Sequence, residues 1–200
     1  MAITNGYASL SDVKAALRIS DAVDDALLEL SIESASREID GYTQRSFYNA
    51  GTAVRYYYNQ DAFTTLIDDV QSVSEVATVV QNNVYSTVWT ANDYQLEPLN
   101  GIRGGVIEPY TQIRAVGDYL FPTYLDQETT EAPVKVTGVW GWASVPTAIR
   151  QATIILASRL YKRFDSPLAV AGFGDLGAIR VGRVDPDVEN LIAPYRRMRY

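Results

Sequence analysis

Val145-Pro-Thr-Ala-Ile-Arg-Gln-Ala-Thr-Ile-Ile-Leu-Ala-Ser-Arg-Leu-Tyr-Lys-Arg-Phe164 decides the fold. Pro146 suits a helix start, where its missing N–H is not needed. Ala148, Ile149, Ala152, Ile154, Ile155, Leu156, Leu160 and Tyr161 cover more than one helical face, which predicts a central helix buried on several sides. Arg159, Lys162 and Arg163 complement the negative end of its dipole. On the N-terminal side, Val134 to Val139 alternates apolar and polar residues as a strand does, and leads through Gly138, Trp140, Gly141 and Trp142 to the helix. On the C-terminal side, Ser166-Pro167 opens a glycine-rich loop. Asp185-Pro186 then caps and starts a short helix containing Val188, Leu191 and Ile192.

The first fifty residues are also helical in pattern. Ser9 or Ser11 caps a short helix with Val13, Ala16 and Leu17 at helical spacing, and Asp21 precedes a longer one. In the latter, Leu28, Ile32, Ala35, Ile39 and Tyr42 form an apolar stripe opposite the charged face of Asp25, Glu29, Glu33, Arg37 and Asp40. Between Gly51 and about Pro133 the texture becomes short runs of Val, Thr, Tyr and Ile. Candidate strands are Thr52–Tyr58, Phe63–Ile67, Ser74–Val80, Tyr85–Thr90, Tyr94–Leu96 and Val106–Ile107, with turns at Asn82-Asn83 and Asn100-Gly101. The expected fold is α+β: a small helical bundle with a long central C-terminal helix, formed by residues 1–50 and 134–200, carrying a β-rich insertion over 51–133.

With 200 residues and 47% apolar composition the chain can bury a core unaided. It has no cysteine and no histidine, which removes disulfides, thiol nucleophiles, Cys/His zinc sites and imidazole acid–base chemistry. Carboxylate or lysine catalysis, a carboxylate-bound hard cation, or no catalysis remain. The net charge of −7 argues against a nucleic-acid coat and against binding to anionic lipid. Its sign is uneven: residues 1–149 carry 8 Lys/Arg against 19 Asp/Glu, and residues 150–200 carry 9 against 5. Met1 to Leu10 lacks the pattern of a signal peptide, and no apolar run reaches the ~18 residues of a membrane span.

Chemical motifs are weak. Gly172-Phe-Gly-Asp-Leu-Gly177 is formally a G-x-G-x-x-G, but it follows a helix and a proline instead of a strand, so a packing or interface loop with Phe173, Asp175 and Leu176 is expected instead of a nucleotide site. Asp185, Asp187 and Glu189 are explained by a helix start and lack calcium-loop spacing. No catalytic, cofactor-binding or metal-ligating residue is assigned. The 14 tyrosines are the more unusual count, with Tyr56, Tyr57 and Tyr58 consecutive; strand alternation turns at least one outward. The terminus Tyr195-Arg196-Arg197-Met198-Arg199-Tyr200 reads either as a frayed end or as a basic aromatic arm.

Tyr7-Ala-Ser-Leu-Ser-Asp-Val-Lys-Ala-Ala-Leu-Arg, Ile39-Asp-Gly-Tyr-Thr-Gln-Arg-Ser-Phe, Val136-Thr-Gly-Val-Trp-Gly-Trp and the segments from Val145-Pro to Pro194-Tyr-Arg-Arg resemble the head-to-tail adaptor (head completion, connector) proteins of long-tailed bacteriophages, of the type found in phages of actinobacteria. The likeness covers both ends and is loose over 51–133. It implies a virion protein without enzymatic activity, made in the host cytoplasm. It further implies a ring of about twelve subunits docked beneath the portal protein after DNA packaging, followed by a stopper ring and the tail. On that basis Tyr195, Arg196, Arg197, Met198, Arg199 and Tyr200 are expected to bind the portal, with neighbouring subunits and the stopper as further partners and no membrane. Asp25, Glu29 and Glu33, if they line the channel, would repel phosphates and let double-stranded DNA pass without sequence-specific binding. A stopper or tail-terminator ring, or a carboxylate- or metal-dependent enzyme, is the alternative.

Overall fold

The computed structural model describes residues 3–79, 84–122, 132–165 and 186–197. Two compact units divide the chain, one from residues 1–47 with 145–200 and one from residues 48–144.

The first unit is helical. α1 (Leu10–Leu17) starts at a capping box: Asp12 N–H donates to Ser9 Oγ (3.2 Å) while Ser9 N–H donates to the Asp12 carboxylate (3.0 Å). α2 (Asp25–Thr43) begins four residues beyond the Asp21 cap candidate and ends on Gln44 in the left-handed conformation. Its stripe of Leu28, Ile32, Ala35 and Ile39 is fully buried, as the periodicity requires.

In the second unit, β1 (Asn49–Tyr57), β2 (Thr64–Thr78), β3 (Thr87–Trp89), β4 (Tyr94–Glu97), β5 (Ile102–Arg103), β6 (Val106–Ile107), β7 (Tyr110–Ala115) and β8 (Val134–Gly141) are antiparallel. The main sheet runs β1-β8-β2-β7-β4, with β3 added to β2 and β5-β6 as a separate two-stranded piece. Its core gathers Ile67, Val70, Val76, Trp89, Ile113, Phe121, Val134, Val136 and Trp140.

α3 (Thr147–Asp165) and α4 (Pro186–Ile192) return to the helical unit. Pro146 sits just before α3, its carbonyl accepting the Arg150 amide (3.0 Å), and Pro186 is the first residue of α4. Within this unit α3 buries Ile149, Ala152, Leu156 and Ala157 fully and Ile154 and Ile155 in part.

The sheet differs from expectation at two places. The segments Phe63–Ile67 and Ser74–Val80 are parts of one 15-residue strand, broken by register shifts, that pairs first with β7 and then with β8. Asp68-Asp69 suggests a turn, yet both acids are accommodated in the strand: Asp68 takes Arg55 Nη1 (2.8 Å) and Asp69 takes Trp142 Nε1 (2.9 Å). Val134–Gly141, grouped with the helices in the sequence reading, is an inner strand of the sheet, because its alternate residues Val134, Val136 and Trp140 need the apolar layer that β1 and β2 supply.

Gly141 has φ +88°, and a Cβ there would lie 2.0 Å from the Tyr48 carbonyl oxygen. Gly141→Ala is therefore expected to destabilise the protein by at least about 2 kcal/mol in chemical denaturation. Gly41→Ala, in the middle of open space on α2, is expected to stabilise by about 0.5–1 kcal/mol.

Candidate functional site

The helical unit is knotted around Tyr7. Its amide donates to Ser36 Oγ (3.1 Å), its hydroxyl donates to Asp40 and accepts from the Phe47 amide (2.8 Å), and Arg37 stacks 5.5 Å from its ring centre. Burial first, and the Asp40 bond second, push the phenol far above its ordinary range; burial likewise raises Asp40. Phe47 meets Tyr7 edge-on at 5.6 Å and Tyr195 edge-on at 5.6 Å.

This arrangement locates the basic terminal segment. Tyr195 is buried in the unit's core, Arg196 lies 5.7 Å from the centre of the Tyr42 ring, and the Arg197 amide donates to the Thr43 carbonyl (2.8 Å). Tyr195 to Arg197 are thus anchored at the end of α2 instead of projecting. Met198, Arg199 and Tyr200 lie outside the described residues, as do Phe173, Asp175 and Leu176 of the glycine-rich loop, Asp185, and the turn at Asn82-Asn83.

The acids Asp25, Glu29 and Glu33 share one side of α2, and Asp25 and Glu33 make contacts that tie this part of the chain together. Asp25 pairs with Lys14 Nζ (2.6 Å), and Glu33 Oε1 accepts the amides of Thr4 (2.5 Å) and Asn5 (3.1 Å). They stitch α1 and the preceding segment onto α2. Three further carboxylates have comparable structural duties: Asp93 closes a turn on Thr90, Glu189 accepts from Tyr42, and Glu97 binds Arg114 and Gln112. Among the described residues no three metal-ligating side chains come together. Nor is any helix of the described residues long and apolar enough to cross a membrane.

What the molecule presents instead is surface. The sheet unit carries 4 Lys/Arg against 11 Asp/Glu, a net of −7, whereas the helical unit carries 13 against 13. The whole excess of negative charge thus belongs to the sheet unit. On β1, Tyr57 packs on Trp140 at 5.8 Å while Val54 and Tyr56, with Tyr58 just beyond, face outward, as alternation demands. Phe63, Val116, Tyr119 and Leu120 are exposed near the opposite ends of β2 and β7.

The β5-β6 hairpin is the feature that sequence reading missed. Val106–Ile107 was in view, but its partner Ile102–Arg103 was not. The signal was present: Gly104-Gly105, both at positive φ (59° and 79°), form the two-residue turn that such a hairpin prefers.

The unexplained features of this α+β chain are exposed aromatic and aliphatic patches, the kind of surface that marks protein–protein contact. Residues 7–94 match the family described as phage gp6-like head-tail connector protein. Over α1, α2 and the strands as far as Tyr94 the chain is thus similar to head-tail connector proteins.

No curated protein matches the sequence. Over its whole length the fold is similar to a chain in the neck of an empty GTA particle computed with C6 symmetry, at 20% identity, TM-score 0.59, covering 100% of this chain and 94% of that one. It is also similar to a chain in the virion of a native gene transfer agent particle, at 18% identity and TM-score 0.56, with the same coverage. A chain in the neck of the native GTA particle computed with C12 symmetry matches at 18% identity and TM-score 0.54, again with the same coverage. None of these distinguishes an actinobacterial type.

Asp12 gives a pH signature for the helical unit. Arg150 donates to it from α3 (Nε, 3.0 Å), and that bond, assisted by those from Ser9, lowers the carboxyl from 3.8 to about 2. A depressed carboxyl stabilises above its unfolded value and loses that contribution as pH falls through its folded one. The stability difference between the native protein and Asp12→Asn is expected to be constant above about pH 5 and to vanish as pH falls toward 2, measured by urea unfolding across that range.

Proposed function

We propose that the chain is the ring-forming adaptor of the head-to-tail junction. It docks on the portal protein after DNA packaging, extends the DNA channel, and offers the platform for the stopper and tail. The observation that carries this reading is the coincidence of two likenesses on one chain: the connector-family match over α1, α2 and the strands through Tyr94, and a full-length fold shared with chains of symmetric particle necks. A closed ring of about twelve copies requires one surface to meet a different surface of the next copy, which suits a protein with patches on separate edges.

Its partners in this reading are neighbouring copies, the portal, the stopper, and double-stranded DNA that passes without sequence-specific contact. The net charge of −7 supports passage over grip. Asp25, Glu29 and Glu33 add to this repulsion if α2 borders the channel. The division of labour proposed between helical core and β-rich insertion assigns portal attachment to the former, through the terminal arm, and subunit or ring contacts to the latter.

The anchoring of Tyr195 sharpens how the arm is tested. Removing it would open the core beside Phe47, so the cut belongs after Arg197. Deleting Met198–Tyr200 is expected to abolish co-sedimentation with portal rings while leaving the melting temperature unchanged. Undiminished portal binding overturns the arm assignment. Electron microscopy of the portal-bound protein separates the adaptor from a stopper or terminator: density directly on the portal supports the adaptor, and density one ring further out rejects it.

A further inference from the structure

The strongest unexplained feature of the sheet unit is a bare aliphatic finger. β4 and β7 pair, and the chain between them continues into the β5-β6 hairpin. Ile102 and Ile107 are register partners on one face, 75% and 78% exposed, and Leu99 at the base is 59% exposed. The base itself is fixed: Glu108 N–H donates to the Gly101 carbonyl (2.9 Å), and Arg103 Nε donates to Glu108 (3.0 Å). A two-stranded hairpin does not hold so much aliphatic surface in water for its own stability, since nothing is buried by it. The finger is shaped and secured, and its apolar face is uncovered.

The main sheet ends on one side at β4, the strand the finger follows, and on the other at β1, an edge strand of nine residues without proline or lysine. Edge strands are ordinarily blunted by such residues. Val54 is 47% exposed, Tyr56 53% and Tyr58 66%, all on one face. The single charge of the strand, Arg55, is compensated by Asp68 on the opposite face, just as Arg103 is compensated by Glu108 in the finger. These are two charge-neutral apolar patches on a unit that holds a net of −7.

The geometry points to a contact between copies of this chain, in which Leu99, Ile102 and Ile107 of one copy pack against Val54, Tyr56 and Tyr58 of the next. This rests on the ring reading above. Three observations select a second copy as the occupant. The two patches are different surfaces, one on the edge strand β1 and the other on a hairpin that follows β4 at the opposite edge of the main sheet, so joining them is head-to-tail and propagates into a ring instead of stopping at a dimer. Two units of equal and large negative charge approach most readily through surfaces that carry none of it. The finger offers roughly a few hundred Å² against the ~1,200–2,000 Å² of a stable two-body complex, so it suits a contact repeated at every junction of a closed assembly.

The absence of cysteine provides the test. Ile107→Cys and Val54→Cys, both at exposed sites, are introduced together, and the protein is oxidised on portal rings and run under denaturing, non-reducing conditions. A ladder of covalent multimers is expected from the double variant, none beyond dimer from either single variant, and crosslinked dimer from an equal mixture of the two. Rings visible by electron microscopy without a ladder overturn this contact while leaving the ring reading intact. Absence of rings for the native protein on portals overturns the ring reading and this contact with it. Independently, Ile107→Asp is expected to weaken ring assembly at least tenfold with an unchanged melting temperature; normal assembly of that variant also overturns the contact.

Discussion

The pairing of β1 with β8 is the constraint on which the rest of the structure depends. These strands lie at the two ends of the sheet unit in sequence, and their antiparallel register runs without interruption from Thr52↔Val139 to Tyr57↔Val134. Trp140 locks the pair: its indole donates to the Ala53 carbonyl (2.8 Å), the Arg55 guanidinium lies 4.5 Å from its ring centre, and Tyr57 packs on it. Beyond it the Trp142 amide donates to the Tyr48 carbonyl (3.3 Å), so the points where the chain enters and leaves the sheet unit are side by side. An inserted unit with adjacent ends leaves the host's own packing undisturbed. That is how α2 and α3, separated by a hundred residues of sheet, still share one core of Leu28, Ile32, Ile39, Ile149 and Leu156.

The helices were legible because their information is local. Ser9 with Asp12, the Leu28 stripe and Pro186 at the start of α4 each declare themselves within a few residues, and each sits where its spacing demands. The sheet was only partly legible because its acids conceal it. Asp68 and Asp69 are turn-like alone; they become strand residues once Arg55, thirteen residues earlier, and Trp142, seventy-three residues later, are opposite them. The Tyr7 hub was illegible for the same reason, since its partners Ser36, Asp40, Phe47 and Tyr195 meet only after the helices pack. The exposed finger had a local signature in Gly104-Gly105, but the two-residue strands flanking it are shorter than pattern reading resolves.

Charge changes meaning when assigned to folded units instead of to stretches of sequence. Read linearly, the chain has an acidic body and a basic C-terminal quarter. Folded, that quarter shares a unit with the acidic N-terminal helices and offsets their charge: Arg150 pairs with Asp12, and Lys14 with Asp25 adds a pair from within the N-terminal part. The helical unit is electrically balanced and the sheet unit holds the whole excess. An assembly of such subunits therefore confronts its strongest self-repulsion between sheet units, and low salt accentuates it.

In the proposed ring, that repulsion also bears on how copies hold together without strong pairwise bonds. A contact of modest area between like-charged units gives little affinity to an isolated pair, which keeps free subunits from associating away from their template. On a template that holds neighbours at high effective concentration the same contact is made at every junction, and closing the circle leaves no terminal subunit with an unsatisfied patch. Exposed isoleucines on a rigid hairpin, harmless singly because charge surrounds them, then act collectively. In the proposed adaptor ring, this combination would keep subunits apart until the template gathers them, and once closed the ring would resist loss of any one copy.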